Sequence, residues 1–550
     1  MDHFIHRPLT AMCLAAALIA VETQAGDACS VEHIQSLAPA GTTIESAVDT
    51  PEPVPHCRID GYVTTTNPGP NRVNFRLQLP DEGWQQRYFF VGMGGAAGSV
   101  PSDSGLPPGN PMFKGFAVAG TDTGHQGHML DWSFLRDNPA QAEDHIHRGA
   151  HVTAQATQAI TRAYYNSDKL YRYMSGCSGG GRMVTEAITR HPEDFDGVLL
   201  GAPGGRSSAT MMGFIYNAQQ MTREPGAWLS PAKLKMVEGK VIAACDALDG
   251  ARDNLIADNR QCQFDFDTLA CQSGDGPDCL TAPELTSLKN VYRGPQGPNG
   301  PINIGYPIAN ISFWSDYLGH VPPPWSDAPT MENMPKTSTG YVIGSSMAKV
   351  LFGPDFDALR DFDFNNQDHI DRWWQAVDRI GYGKYNSADL RQYREQGGKA
   401  LLWNGVSDPC CSDIQLEEYY REAGDIVGGM EQLQEFAKFY RIPGLGHCVG
   451  GAGPQDAVDR FLDEMIDWVE KGEAPGPIVA HRGDDRLDLI FTNDDGDLVS
   501  RRVAPSQGEP RDFLLCPFPQ VATFLGGDNA GPDTVNDAAN WQCRVPENNH

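Results

Sequence analysis

Short apolar runs alternate with glycine-rich turns and amphipathic stretches along much of this chain. Six runs have the length and the apolar content of buried strands, and they are Arg87–Val91, Phe116–Gly120, Leu170–Met174, Val198–Leu200, Ala400–Trp403 and Phe436–Ile442. Helical periodicity is clearest in Ala457–Val469, where the apolar residues share one face and Gly472 follows as a stop signal. This alternation of strands and helices predicts an α/β fold.

The segment around Ser178 has the order strand, glycine-rich turn, helix. Leu170–Met174 leads into Gly176-Cys-Ser-Gly-Gly-Gly-Arg182, and Met183–His191 leads out of it. So many glycines allow backbone angles that side chains forbid. A nucleophile elbow needs this context, because a serine hydroxyl must stand on a sharp bend with a free backbone N–H directly after it. The alternative is a tight βα turn with no catalytic role.

An acid and a base follow in the order that α/β-hydrolases use, which is Ser, Asp, His. Asp408 comes after the predicted strand at 400–403, and His447 lies in the glycine-rich loop after the strand at 436–442. A serine nucleophile needs a base, and the base needs an orienting acid. Either residue alone would be interpreted as a solvated loop residue. Together with Ser178 they form the candidate catalytic triad.

Two cysteines adjoin this candidate triad. Cys177 precedes Ser178, and Cys448 follows His447. A disulfide between them would close a very long loop, worth roughly 4–5 kcal/mol in the chain-entropy description. We expect its main effect to be positional, because the serine and the histidine must meet within about 3 Å.

These motifs resemble the tannase and feruloyl esterase family, which includes hydrolases of mono(2-hydroxyethyl) terephthalate. Besides the elbow, the resemblance includes Thr121-Asp-Thr-Gly-His125, the segment His191–Pro203, Cys245-Asp-Ala-Leu-Asp-Gly250, Gly405–Pro409, Gly446-His-Cys448 and Cys516-Pro-Phe-Pro519. It covers nearly the whole mature chain. It implies an α/β-hydrolase fold with a large inserted lid domain.

The late positions of Asp408 and His447 imply that a long insertion separates two halves of one catalytic sheet. We expect a signal peptide at 1–25, the first part of the catalytic domain at 26–204, a lid domain at 205–387 and the second part of the catalytic domain at 388–550. The interpretation of the insertion as a lid over the active site follows from the resemblance.

Three carboxylates recur in one short loop of the predicted lid, at Asp246, Asp249 and Asp253. Calcium takes six to eight oxygen ligands, including backbone carbonyls. An acidic surface loop is the simpler alternative. The resemblance implies a structural Ca²⁺ here, with these carboxylates and the carbonyl groups of Ala251 and Leu255 as ligands.

The oxyanion of an ester-cleaving enzyme needs backbone N–H groups aimed at it. Gly179, directly after the serine, offers one. The run Val91-Gly-Met-Gly-Gly-Ala96 resembles the family's loop that supplies the other, and we choose Gly95 over Gly94. A tight turn with no role is the alternative for this loop.

The N-terminus has the pattern of a cleaved secretory signal peptide. Arg7 precedes an apolar run at 12–21, and Thr23-Gln-Ala25 offers a small-residue cleavage site. We therefore expect a secreted or periplasmic protein. The net charge of −29 argues against nucleic acid and anionic membrane as partners.

Twelve of the thirteen cysteines follow that segment, an even number that indicates disulfides in an oxidising compartment. Sequence alone leaves their connectivity open. The resemblance implies Cys177–Cys448, Cys245–Cys262, Cys271–Cys279 and Cys516–Cys543, and leaves Cys29–Cys57 as an N-terminal pair. For the adjacent Cys410 and Cys411 we expect a strained vicinal disulfide, with two small buried thiols as the alternative.

Three other interpretations are weaker. A zinc site could be drawn from His125, His128, His145, His147 and His151, but Arg148–Tyr165 has the periodicity of an amphipathic helix and the family has no metal there. A redox protein built on Cys410-Cys411 lacks the C-x-x-C spacing. A non-catalytic, calcium-stabilised binding protein leaves the triad unexplained.

The sequence therefore predicts a secreted serine carboxylic-ester hydrolase that acts through an acyl-enzyme. By resemblance, its partner is a small-molecule ester of an aromatic acid, whether phenolic, hydroxycinnamic, gallic or terephthalic.

Overall fold

A mixed β-sheet of nine strands forms the centre of the protein. The computed structural model describes residues 28–101, 110–203, 207–330, 332–382, 387–483, 488–492, 498–502, 509–527 and 530–546. The strands of the sheet are β1 (Thr42–Thr50), β2 (His56–Thr65), β3 (Asn71–Pro80), β4 (Arg87–Gly92), β5 (Phe116–Thr121), β6 (Tyr171–Cys177), β7 (Gly197–Gly201), β8 (Lys399–Gly405) and β9 (Ala437–Ile442). Their spatial order is β1-β2-β3-β5-β4-β6-β7-β8-β9. The pairs from β1 to β5 are antiparallel, and the pairs from β5 to β9 are parallel.

Helices cover both faces of this sheet. Those of seven or more residues are α1 (Val31–Leu37), α2 (Gly149–Tyr164), α3 (Gly179–Arg190), α4 (Ser207–Thr222), α5 (Pro231–Cys245), α6 (Ala282–Arg293), α7 (Thr339–Phe352), α8 (Gln367–Ile380), α9 (Asp413–Val427) and α10 (Ala457–Lys471). One face packs on α2, α3 and α9, and the other packs on α10. Shorter helices span Phe134–Asp137, Pro139–Glu143, Trp314–Leu318, Ala358–Asp361, Arg391–Glu395, Met430–Gln434 and Pro532–Val535.

The C-terminal part adds three two-stranded antiparallel ladders. Its strands are β10 (Ile478–Arg482), β11 (Asp488–Thr492), β12 (Leu498–Arg502), β13 (Arg511–Leu515), β14 (Val521–Phe524) and β15 (Trp541–Arg544). They pair as β10 with β13, β11 with β12 and β14 with β15. A fourth, two-residue ladder joins Gln296–Gly297 to Gly300–Pro301.

The six predicted strands are confirmed as β4 to β9, with ends that differ by one to three residues. The predicted helix at 457–469 is confirmed as α10, and Gly472 ends it in the left-handed region at φ 79°. The helix predicted at Met183–His191 begins earlier, at Gly179, because the glycines after Ser178 belong to its first turn. The helix predicted at Arg148–Tyr165 is α2, preceded by one wider turn at Asp144–Arg148.

Between β7 and β8 the chain forms α4 to α8 and their connecting loops around a hydrophobic cluster of their own. Its largest fully buried members are Trp314 and Trp373. The cluster also takes in Trp132 and Val406 from the catalytic sheet's side, so the inserted segment is packed against the rest of the protein. No helix in the part of the chain described here is both long and apolar enough to cross a membrane. The predicted signal peptide, residues 1–25, lies outside the described residues.

Five disulfides lie within the described residues, and Cys177–Cys448 joins positions 271 residues apart. They are Cys29–Cys57, Cys177–Cys448, Cys245–Cys262, Cys271–Cys279 and Cys516–Cys543, which confirms these five predicted pairs.

A buried arginine ties the inserted segment to the sheet. Arg441 on β9 donates from Nη1 to Asp258 of the inserted segment at 2.7 Å and from Nε to Asp413 at the start of α9 at 2.8 Å. All three side chains are nearly inaccessible to solvent. Such a network is costly to break from one side, because Asp413 would stay buried without the cation that it pairs with, while Asp258 would keep Arg260 at 2.6 Å.

We expect Arg441→Ala to destabilise the protein by roughly 3–5 kcal/mol, since it leaves Asp258 and Asp413 without a shared cation. The matched control is Arg391→Ala, whose partner Asp389 is an exposed neighbour and whose loss should cost under about 1 kcal/mol. Urea unfolding of the two variants measures both values. Equal losses would contradict a structural role for the Arg441 network.

Candidate active site

Ser178 stands on a strained turn between β6 and α3. Its backbone has φ 60° and ψ −123°, a combination that a residue with a side chain rarely adopts. Its N–H donates to the carbonyl oxygens of Gly201 and Ala202 at the end of β7, both at 3.1 Å. The geometry is that of a nucleophile elbow, with the hydroxyl presented above the carboxyl ends of the parallel strands.

Two positions at this elbow must be glycine, because a Cβ there would collide with neighbouring backbone. A Cβ on Gly176 would lie 2.3 Å from the carbonyl carbon and oxygen of Gly180. A Cβ on Gly179 would lie 2.2 Å from the carbonyl oxygen of Gly95. The two candidate oxyanion residues are therefore in direct contact. Within the described residues, the N–H groups of Gly94, Gly95 and Gly179 donate no hydrogen bond, so Gly94 stands beside Gly95 as a candidate second donor.

Asp408 and His447 form a buried hydrogen-bonded pair. His447 Nδ1 lies 2.8 Å from Asp408 Oδ2. The other carboxylate oxygen accepts the N–H groups of Cys410 at 2.8 Å and Cys411 at 3.0 Å. Asp408 thus fixes the orientation of the imidazole and leaves Nε2 facing away from the acid, as a triad requires.

Electrostatic neighbours set the protonation of His447. Burial lowers the pKa of the imidazole, but the carboxylate of Asp408 and the thiol of Cys410 more than offset this, and the pKa of His447 is raised well above its ordinary value. Burial raises the pKa of the Cys410 thiol, whereas the hydrogen bond from Cys411 and the charge of His447 lower it, to about 6 in balance. The imidazole is therefore a stronger base than a histidine in water.

The disulfide Cys177–Cys448 joins the elbow to the histidine loop, with its Cα atoms 5.9 Å apart. Cys448 itself has a positive φ of 66°. Ser178 and His447 line the same cavity. Among the hydrogen bonds of the described residues there is none between the Ser178 hydroxyl and His447, and such bonds often tighten only when substrate is present.

The expected vicinal disulfide is wrong in this structure. The sulfur atoms of Cys410 and Cys411 lie 3.4 Å apart, beyond a bonding distance, and the Cys411 thiol donates to the Cys410 sulfur. The reason is the turn that Asp408 imposes, because its carboxylate captures both backbone N–H groups. Adjacent Cα atoms about 3.8 Å apart also fall short of the separation that disulfides prefer. The alternative of two small thiols beside the triad is confirmed.

The cavity above Ser178 has a volume of about 540 Å³ and walls that are mostly apolar. Five aromatic side chains line it, Trp132, Phe214, Tyr317, Tyr382 and Trp403. Phe214, Tyr317 and Tyr382 come from the inserted segment, and the ring of Tyr317 meets the edge of His447 at a centroid distance of 6.0 Å. The sequence motifs identify none of these three, because they lie in α4, in the short helix Trp314–Leu318 and just after α8, where no motif marks the side that faces the serine.

Arg182, one turn after Ser178, is a charged residue of the cavity wall. Its Nη1 donates to the carbonyl oxygen of Ile146 at 2.9 Å, and its Nη2 donates to that of His145 at 3.0 Å. The guanidinium also stacks on Tyr382 at 5.3 Å. Backbone carbonyls thus engage most of the charge of this arginine, and the space for substrate stays predominantly apolar.

The histidine-rich run separates into different contacts. His145 packs against Arg182, His147 bonds Glu143 at 2.9 Å, and His151 bonds Asp194 at 2.7 Å. His125 stacks on Phe134 at 3.5 Å, and it is His128 that lines the cavity. Asp194 and His191 do come together with His151, at the surface of α2 and α3.

The acidic loop Asp246–Leu255 is folded on itself and bracketed by Cys245–Cys262. The N–H of Asp253 donates to Asp246 Oδ1 at 3.1 Å, and Arg511 of β13 bonds Asp253 Oδ2 at 2.5 Å. Burial and the neighbouring Asp253 raise the pKa of Asp249 to about 7, which shows how crowded the negative charges are. The donor set consists of hard oxygen atoms, so its chemistry fits calcium.

Solved structures share this fold. Feruloyl esterase B from Aspergillus oryzae matches with a TM-score of 0.76 and 22% identity over 94% of this chain and 99% of its own. The tannin acyl hydrolase from Aspergillus niger matches with a TM-score of 0.72 and 20% identity over 94% of this chain and 95% of its own. These similarities concern the fold and confirm the predicted α/β-hydrolase class.

Sequence comparison gives the family. An uncharacterised esterase of Xanthomonas campestris is 28% identical over 96% of this chain and 93% of its own length. The mono(2-hydroxyethyl) terephthalate hydrolase of Piscinibacter sakaiensis is 27% identical over 94% of this chain and 89% of its own length. The sequence model described as tannase and feruloyl esterase matches residues 57–543. The chain therefore belongs to the tannase and feruloyl esterase family and is a carboxylic-ester hydrolase.

Proposed function

We propose that this protein hydrolyses esters of aromatic carboxylic acids with Ser178 as nucleophile, His447 as base and Asp408 as orienting acid. The observation that carries the proposal is that a strained serine, a histidine held by a buried aspartate and the glycines Gly95 and Gly179, whose N–H groups have no acceptor among the described residues, border one apolar cavity. Each of these features requires a specific local geometry, and an ester-cleaving site needs all of them together.

The reaction follows from the positions of these groups. The Ser178 hydroxyl attacks the ester carbonyl while His447 Nε2 accepts its proton, and the imidazolium is stabilised by Asp408 at Nδ1. The negative charge on the carbonyl oxygen is bound by the N–H groups of Gly179 and Gly95. His447 then returns the proton to the leaving alcohol, which leaves an acyl-serine. Water, deprotonated by His447, attacks this intermediate and releases the free acid.

The cavity supports an aromatic acyl group. Its volume of about 540 Å³ and its ring-lined walls provide flat apolar contacts for a benzene ring. The inserted segment supplies several of those rings, and in this proposal it acts as the lid domain, 205–387, whose shape decides which aromatic acid fits. The names of the relatives, feruloyl esterase and mono(2-hydroxyethyl) terephthalate hydrolase, agree with an aromatic acid.

The proposal is tested by measuring the hydrolysis of four esters by the purified protein. They are methyl ferulate, methyl gallate, mono(2-hydroxyethyl) terephthalate and an acetyl ester of a similar alcohol. We expect kcat/KM to be at least tenfold higher for one aromatic ester than for the acetyl ester. Ser178→Ala should lower kcat by roughly 10⁴-fold or more, because the nucleophile of a triad acts as a unit with its base. The control is Ser167→Ala, whose hydroxyl donates to the carbonyl oxygen of Lys169 and which is not among the described residues that line the cavity. Turnover by Ser178→Ala at more than a hundredth of the normal rate would refute the assignment.

The disulfide Cys177–Cys448 is proposed to hold nucleophile and base at reacting distance. Replacing both cysteines by alanine should lower activity per folded molecule by more than tenfold, because a displacement of about 1 Å already costs much of the rate. Removal of Cys29–Cys57, a bridge far from the cavity, is the matched control and should lower the melting temperature while leaving activity per folded molecule unchanged. Equal specific activities would show that Cys177–Cys448 serves only stability.

For the loop Asp246–Leu255 we propose a structural Ca²⁺ bound by Asp246, Asp249, Asp253 and the carbonyl groups of Ala251 and Leu255. Its role is to hold the loop against the C-terminal ladders, where Arg511 already contacts Asp253. It takes no part in the chemistry of Ser178. A cleaved N-terminal signal peptide and secretion also remain part of the proposal.

Calcium removal tests the metal site. About one Ca²⁺ per chain should co-purify, and chelation should lower the melting temperature, because the ion binds only the folded loop. Asp249→Ala should melt at the lower temperature with or without chelator, whereas the exposed-site control Asp355→Ala should respond to chelator as the unmodified protein does. A melting temperature independent of chelator would rule out structural calcium.

A further inference from the structure

Two thiols and an imidazole converge beside the catalytic serine. The sulfur atoms of Cys410 and Cys411 and a ring nitrogen of His447 all lie within 4.8 Å of one another. The two sulfur atoms are 3.4 Å apart. The ester hydrolysis described above assigns no bond-making step to either thiol, although Cys410 helps to raise the pKa of His447.

One carboxylate orients all three groups. Asp408 accepts Nδ1–H of His447 through one oxygen, and the backbone N–H groups of Cys410 and Cys411 through the other. A histidine whose one ring nitrogen is held by a carboxylate is the usual arrangement at protein zinc sites, and here the ring also contacts the thiol of Cys410. The same hydrogen bonds that make His447 a base therefore also prepare it as a metal ligand.

The spacing of the donors suits a tetrahedral ion. With zinc–sulfur bonds of about 2.3 Å and zinc–nitrogen bonds of about 2.0–2.1 Å, the ligand atoms of one ion lie roughly 3.5–3.8 Å apart. The two sulfur atoms, 3.4 Å apart, are already near this separation, and the imidazole nitrogen lies within 4.8 Å of both. All three residues line the open cavity, which gives an ion a path of entry and leaves the fourth position to water or to the Ser178 hydroxyl.

We propose that Cys410, Cys411 and His447 form a binding site for a soft divalent metal ion of the zinc class, and that the bound ion reversibly inhibits ester hydrolysis. On binding, each thiol gives its proton to water, and the ion takes the nitrogen that would accept the serine proton. Thiolate ligands exclude Ca²⁺ and Mg²⁺, which prefer oxygen, so this site and the calcium loop select different ions. The inhibitory effect rests on the proposed function, whereas the binding does not.

Metal binding is measured without substrate by titrating the full chain, saturated with Ca²⁺ and free of reducing agent, with Cd²⁺. One equivalent should produce the ultraviolet charge-transfer band of a cadmium–thiolate complex. In a parallel assay, micromolar Zn²⁺ should lower ester hydrolysis at least tenfold. The calcium complex of EDTA should restore activity, because it removes zinc without depleting calcium.

A second group of possible metal ligands lies at His151, His191 and Asp194 in the described residues. Substitutions in each group show which of the two binds the added ion. Cys410→Ser/Cys411→Ser should abolish the cadmium band and raise the zinc concentration for half-inhibition at least tenfold. The control His191→Ala should leave both unchanged. Should the double variant fail to fold, Cys410→Ser alone must still weaken the band and the inhibition.

Several results would overturn the proposal. These are a wild-type chain without the cadmium band, zinc inhibition that survives loss of both thiols, or a native mass that shows Cys410 joined to Cys411. A cadmium band in a chain that hydrolyses no ester would instead overturn the proposed function and leave the metal site standing.

Discussion

The carboxylate of Asp408 is the interaction on which the active site depends. It is almost completely buried, and it accepts one hydrogen bond from an imidazole and two from backbone N–H groups. Asn404 on β8 supports the same turn by donating to the carbonyl oxygen of Cys411 at 2.8 Å. Hydrogen bonds to a charged acceptor are strong where water is excluded. If they are lost, the carboxylate stays buried in apolar surroundings without a hydrogen-bond partner. The same carboxylate therefore fixes both the orientation of the His447 imidazole and the shape of the turn at Cys410 and Cys411.

The inserted segment is joined to this same turn by polar contacts. Asn259 donates to the carbonyl oxygen of Val406, two residues before Asp408, and accepts the N–H of Ala309. Arg441 makes a second connection through Asp258. The rings that the inserted segment contributes to the cavity are thus fixed relative to the Asp–His pair. The rings that select the acyl group and the residues that cleave the ester are therefore held in one rigid arrangement, as in other preorganised sites.

Sequence reasoning succeeded where local pattern and tertiary position coincide. Strands β4 to β9 are largely buried, so they are short apolar runs, and four of the six end at glycine or meet a proline; the elbow and triad follow from the strand ends. The antiparallel strands β1 to β3 were missed, although β2 alternates between buried and less buried positions along His56–Thr65 and carried a usable signal. The helices of the inserted segment were not predicted individually. α4 and α7 are buried on several sides, which weakens their periodicity, whereas α8 buries Ile370, Trp373 and Val377 on one face and carried a usable signal. The vicinal disulfide was wrongly expected because composition and compartment say nothing of the two hydrogen bonds that Asp408 makes to that turn.

The pairing of β7 with β8 has a consequence for how the chain folds. These neighbours pair from Gly197 with Lys399 to Gly201 with Trp403, yet the whole segment 202–398 separates them along the chain. During synthesis, β7 is therefore complete long before β8 exists. Until β8 arrives, the unpaired N–H and C=O groups on that side of an apolar strand can pair with other chains. Contacts this distant in sequence also form slowly. The edge of β7 is the aggregation-prone surface of the nascent protein, and the speed with which the inserted segment collapses and returns the chain to the sheet decides how long that edge stays open.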